Sequence, residues 1–311
     1  MDFRRAAHSP RTDRFFNVRS FSKGVIAIIA IVTVLAVAVA VGLFTLFNRV
    51  TPLPTLGEGC TVTTPVGSLD LEIEQAQVAA TIATVAARRN LPERAVVIAY
   101  ATAIQESKLL NLESGDGDRD SVGVFQQRPS QGWGKIEQLI DPVYASGKFF
   151  SALVKVKNYR KRPLYEAAQE VQRSADGSAY AQHEEDGKLL AAAFTGRVPK
   201  AVRCWFSAPT DKATAPAGTA TPAGKKRATD GAPLSAAEKA RRKLVRTLGP
   251  GSTLEASSQK RGWLMASWSV AHAQEFGLRQ VRYDGQAWSS ATGDKGWKAD
   301  AAAPAGRVEI S

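Results

Sequence analysis

From Gly24 to Phe47 the chain runs without a charge (GVIAIIAIVTVLAVAVAVGLFTLF). About 20 such residues suffice for one helix across a bilayer. Valine and isoleucine dominate the run. In water they would favour strand, but in lipid every backbone group must be paired within the segment, which selects helix. Arg4, Arg5, Arg11, Arg14, Arg19 and Lys23 precede it, and only Arg49 follows closely. The positive-inside rule then predicts a basic cytoplasmic tail over 1–23, a transmembrane helix over 24–47 and everything later outside. A cleaved signal peptide is the alternative. Its apolar core would be shorter and end in a small-x-small site, whereas this run ends Leu43-Phe44-Thr45-Leu46-Phe47-Asn48-Arg49. The expectation is a single-pass cell-membrane protein with an extracytoplasmic C-terminal region.

Residues 48–69 read as a short linker and domain entry. Leu71, Ile73, Val78, Ile82 and Val85 then recur at helical spacing, predicting a helix over Leu71–Asn90. Pro92 suits the first turn of a second helix reaching about Ser107. Pro142–Tyr159, Pro163–Ser174 and Tyr180–Thr195 predict three more, the last stopped by Gly196 and Pro199. Strand signals are sparse between Leu71 and Gly196, so 70–206 is expected to be a helical domain. Residues 207–234 are rich in Ala, Thr, Pro and Gly with almost no large apolar side chain, the composition of a disordered linker. Ser235-Ala-Ala-Glu238 is a capping box opening a basic helix that ends near Gly249. Arg261–Phe276 predicts another helix, and Leu278–Tyr283, Gln286–Trp288 and Arg307–Ile310 predict short strands. The fold class is therefore mainly α, with a small α+β domain over 235–311. Trp263, Trp268, Trp288 and Trp297 fall in that small domain; they read as its core, with sugar platforms as the alternative.

The two cysteines, Cys60 and Cys204, lie far apart, with no Cys-x-x-Cys or Cys/His cluster to suggest zinc. Outside a membrane a single disulfide is the natural reading; two unpaired buried thiols are the alternative. The net charge of +12 is spread along the chain. Nucleic-acid binding would want a basic face with a recognisable motif, and none is present. Attraction to anionic wall polymers or lipid headgroups fits, as do ordinary solvated helix faces.

Candidate chemistry centres on Glu106, which follows the apolar, small-residue stretch Ile98–Ile104. Breaking a glycosidic bond needs a protonated acid beside the leaving oxygen. A carboxyl serves at neutral pH when apolar burial raises its pKa. Taken alone, a glutamate near a helix end is usually just solvated. Some twenty residues later, however, comes Gly123-Val-Phe-Gln-Gln-Arg-Pro-Ser130. The pattern Glu106-Ser107, then Ser121-Val-Gly123-Val-Phe-Gln126 before Pro129, resembles the Glu-Ser … Gly-Leu-x-Gln … Pro signature of soluble lytic transglycosylases of the lysozyme-like superfamily. The stretch Asp118–Gly134 looks like membrane-anchored or secreted relatives from high-GC Gram-positive bacteria. The resemblance covers about residues 70–205.

It implies a lysozyme-like α-helical domain acting on peptidoglycan glycan strands at the MurNAc–GlcNAc bond. Glu106 would be the single catalytic acid. Ser107 would support its side chain, Gly123 would let backbone approach the sugar, and Gln126 would hydrogen-bond it. Phe125 belongs to the same substrate-binding set. No cofactor is called for. The family's Ala-Tyr-Asn-Ala-Gly signature is replaced by Ala179-Tyr180-Ala181-Gln182, so Tyr180 is a sugar contact by nearest match only. The loop before Gly123 is unusually acidic. Asp118 or Asp120 offers the second carboxylate of a hydrolase. Asp116-x-Asp118-x-Asp120 offers calcium, although Ser121 and Gln127 stand where that pattern wants Gly and Glu.

Gly262–Ala271, Phe276–Trp288 and Gly306–Ser311 resemble the last part of an actinobacterial cell-wall module related to zinc DD-peptidases. Glu309 stands where that module has a histidine, and His272 has no partner at ligand spacing. The resemblance implies a non-catalytic remnant for wall binding or assembly. The expected function is thus a peptidoglycan-cleaving glycosidase working with envelope or division machinery. The alternative is a non-catalytic wall-binding scaffold.

Overall fold

The computed structural model describes Val32 and residues 57–113, 115, 119–174, 176–207 and 234–311. Residues 57–207 open on a hairpin, β1 (Gly59–Thr64) and β2 (Gly67–Leu71), turned at Pro65-Val66. Its β-branched threonines and valine suit a half-buried strand. β3 (Val202–Trp205) returns to the other edge of β1, giving an antiparallel sheet of order β2-β1-β3. Within it Cys60 and Cys204 stand directly opposite and are joined by a disulfide, so the expected disulfide is present.

Two helices carry the centre. α1 (Ile73–Arg88) opens on a reciprocal cap in which Glu72 N–H donates to Gln75 Oε1 at 2.8 Å. Its alanines, valines and threonines from Val78 to Ala86 are all buried, so it is wrapped on every side. α2 (Glu93–Ser107) is equally alanine-rich and buries Ala95 to Ala103 without a break. Tyr100 ties the pair, its hydroxyl donating to Ala79 O at 2.7 Å. Around them lie α3 (Ile136–Leu139), α4 (Pro142–Leu153), α5 (Leu164–Gln172), α6 (Ser178–Ala181) and α7 (Glu184–Phe194). Gly187 lets α7 lie against α2: a Cβ there would stand 2.9 Å from Val97 O.

After the undescribed stretch 208–233, α8 (Ala236–Leu248), α9 (Gln259–Ala271) and α10 (Ala273–Phe276) precede β4 (Gln280–Tyr283), β5 (Gln286–Ser289), β6 (Lys298–Ala299) and β7 (Glu309–Ile310). These strands form a second antiparallel sheet of order β6-β5-β4-β7. The predicted helix Arg261–Phe276 breaks at His272 into α9 and α10. Residues 57–207 and 234–311 fall within one compact unit. α9 packs on α1 and β3, and Trp297 Nε1 donates to Val202 O at 2.8 Å. Trp263, Trp268 and Trp288 are fully buried in that shared core.

Two expectations are corrected. The fold is about 49% helix and 14% strand in two small antiparallel sheets, rather than mainly α with a transmembrane helix. The first sheet escaped notice because β1 and β2 fall in the segment read as linker and β3 lies beyond the last helix. The single-pass membrane location is also overturned: among the described residues no helix is long and apolar enough to cross a membrane. The longest named helix, α1, has 16 residues, against about 20 needed. The run over 24–47 lies, Val32 apart, outside the described residues, as do residues 1–23, expected as a cytoplasmic tail, and most of 207–234, expected as a disordered linker.

Candidate active site

Glu106 sits in the last turn of α2, half-buried. The helix stops immediately after it. Lys108 and Leu109 both take left-handed φ values, and Leu109 N–H donates back to Ala103 O at 3.1 Å, a Schellman-type closure. Gln75 Nε2 caps the Lys108 carbonyl at 2.8 Å.

The Gly-Val-Phe-Gln segment forms a tight loop closed by Val122 and Gln127, each N–H donating to the other's carbonyl at 3.1 Å. Gly123 has φ +73°, and a Cβ there would lie 2.3 Å from Leu139 O. The glycine therefore serves a close approach to Leu139. Gly123 N–H donates to Leu112 O at 2.8 Å. The buried Ser107 hydroxyl is 2.8 Å from Val124 O and 3.1 Å from Ala103 O, so Ser107 binds the loop to α2. Phe125 is buried and stacked on Phe149, centroids 4.4 Å apart. Its carbonyl accepts from Gln172 Nε2 at 2.8 Å. Gln126, half-buried with φ +45°, turns its Nε2 to Gly123 O at 3.1 Å.

Across this loop, α6 delivers Tyr180. Its side chain is buried, and its hydroxyl donates to Glu106 Oε1 at 2.6 Å. Burial, and secondarily the Glu106 carboxyl, push the phenol above its usual range. Tyr180 thus stays protonated and acts as a donor, a charge-assisted bond when the partner is ionised. Next to it, His183 Nε2 and Gln182 Nε2 approach Gln105 Oε1 at 3.0 and 3.3 Å. Burial lowers the His183 pKa, with Asp186 opposing. Gln105, Gln172 and His183 carried no sequence signal; only the thin Tyr180 match pointed to this segment.

Of the acidic loop, Asp116 and Asp118 lie outside the described residues. Asp120 Oδ2 accepts from Ser130 N–H at 2.9 Å. The Ser130 hydroxyl, and after it that backbone bond, hold its carboxyl below the usual range. Asp120 therefore fastens the start of the 3-10 turn Pro129–Gln131.

In the C-terminal segment Glu309 is held by Arg282 Nη1 at 2.9 Å and Arg307 Nη2 at 2.8 Å. His272 is buried and stacked on Trp268, with Nδ1 2.9 Å from its carbonyl. Among the described residues no three His, Cys, Asp or Glu side chains gather as a metal site would require. Set against models of known protein families and against curated proteins, the chain matches none.

Proposed function

We propose that the chain is a peptidoglycan lytic transglycosylase with Glu106 as its single catalytic acid. The observation that carries the reading is the 2.6 Å bond from the Tyr180 hydroxyl to Glu106 Oε1, beside a loop fastened through Ser107. The phenol occupies one carboxyl oxygen as a donor, which leaves Oε2 to bear the transferable proton. In the reaction Glu106 gives that proton to the bridging oxygen as the C1–O bond of MurNAc breaks. The carboxylate then takes the proton of the MurNAc 6-hydroxyl as that oxygen bonds to C1. The acid is regenerated, a 1,6-anhydro end forms, and no water is consumed. One carboxylate therefore suffices, in keeping with Asp120 being engaged by Ser130.

A second reading is a non-catalytic wall-binding scaffold. It is favoured by Phe125 lying in the core and by Gln126 turning back onto Gly123 O, since both then serve the loop rather than a sugar. Incubating the protein and its Glu106→Gln variant with purified peptidoglycan, and weighing the released muropeptides, separates the readings. Anhydro-ended products from the parent alone are expected. Reducing-end products dependent on Glu106 would make it a hydrolase. Binding without cleavage, unchanged in Glu106→Gln, would leave the scaffold.

A further inference from the structure

The end of α1, the loop after α8 and the start of α9 line a crevice of about 560 Å³. Arg88 comes from the last turn of α1, and Lys260 and Arg261 from the first turn of α9. Among the described residues the guanidinium groups of Arg88 and Arg261 have no hydrogen-bond or ion-pair partner. Lys260 Nζ reaches only Glu93 Oε2, at 3.9 Å. Against these three cations the lining holds one carboxylate, the exposed Glu255.

Such an arrangement costs free energy as it stands. α9 has no acidic residue in its first turn, and cations there oppose the helix dipole. Arg261 is half-buried, and burial with no anion beside it lowers its pKa. An oxyanion would relieve both penalties. The crevice walls are firmly set. The Arg88 stem lies along Gly249, where a Cβ would press its Cγ, Cδ and Nε at 3.3–3.4 Å. Gly196 brings its backbone against α9, where a Cβ would stand 2.1 Å from Lys260 O. The hydroxyls of Ser252, Thr253 and Ser257 complete the lining. Two planar guanidinium forks, an ammonium and several hydroxyls suit a group with three or four acceptor oxygens better than a two-oxygen carboxylate. The space is far larger than one such ion, with room for an attached polyol.

We propose that this crevice binds the phosphate group of a small phosphorylated polyol. The test is calorimetric titration of the full-length protein with inorganic phosphate and with glycerol 3-phosphate, at fixed ionic strength. Saturable one-site binding is expected. Arg88→Gln and Arg261→Gln should each weaken it by about tenfold or more, and Arg261→Lys by less. Lys157→Gln, on an exposed surface away from the crevice, should leave it unchanged. Thermal unfolding of each variant without ligand verifies the fold. Tighter binding of glycerol 3-phosphate assigns the site to phosphorylated polyols. Equal affinity would overturn the polyol and leave a site for the free phosphate ion. Absence of saturable binding, or affinity insensitive to Arg88→Gln and Arg261→Gln in folded protein, would overturn it.

Discussion

Tyr180 and Glu106, 74 residues apart in the chain, meet through a single 2.6 Å hydrogen bond. α6, which carries the tyrosine, has only four residues, so its aim is set by what it packs on rather than by its own stability. Tyr180→Phe keeps the ring and removes the donor. Under the proposed transglycosylase reading, glycan cleavage falls by roughly 10–100-fold, with a stability loss of about 1–3 kcal/mol. Muropeptide release and thermal unfolding on one preparation measure both. Full activity in Tyr180→Phe would remove the tyrosine from the mechanism.

Gly123→Ala should fail structurally. The added Cβ would overlap the Leu139 carbonyl at 2.3 Å and sit at φ +73°, so backbone must move. A loss of roughly 3 kcal/mol or more is expected, read as a lower denaturant midpoint together with lost cleavage. A variant of normal stability would show that the loop has slack.

Removing the Cys60–Cys204 link should be felt throughout the unit. The bond closes a loop of 144 residues, for which the chain-entropy account gives about 4–5 kcal/mol. Paired Cys60→Ser, Cys204→Ser protein should unfold at correspondingly lower denaturant. An unchanged midpoint would mean that the β1–β3 ladder suffices by itself.

Burial drives the His272 pKa from about 6.5 to about 3, with nearby Lys243 adding to it. The folded state therefore binds fewer protons than the unfolded state between those values. Its stabilising contribution is complete above pH 6.5 and drains away as pH falls toward 3. Between pH 7 and pH 5 the loss should be about 2 kcal/mol. Denaturant midpoints across that range should slope in the parent protein and flatten in His272→Gln. Equal slopes would assign the effect to other groups.

Much of this could be read from the sequence where one element carries its own pattern. The caps and periodicity of α1, α2, α4, α5 and α8 are local, and the Glu106-Ser107 … Gly123-Val-Phe-Gln126 spacing points at the site directly. What escaped depends on partners. Phe125 reads as a sugar contact until Phe149 is seen stacked on it. Ser107 reads as support for Glu106 until its hydroxyl is found on the Val124 carbonyl. β1 has the β-branched residues of a strand, but β3 lies more than 130 residues on, and no local signal links them. The change of composition over 207–234 is visible in the sequence, whereas the fit of Gly196 against Lys260 that unites the flanking segments is not.

The pairing of β1 with β3 also has a mechanical consequence. Residue 57 enters and residue 207 leaves at the same end of that ladder, where Gly59 faces Trp205 and Cys60 faces Cys204. Tension applied between those two points would peel the strands apart one rung at a time. Peeling meets the covalent bond at the second rung. Load then passes from chain to chain through two sulfur atoms, and residues 61–203, with Glu106, Tyr180 and the loop between them, carry none of it.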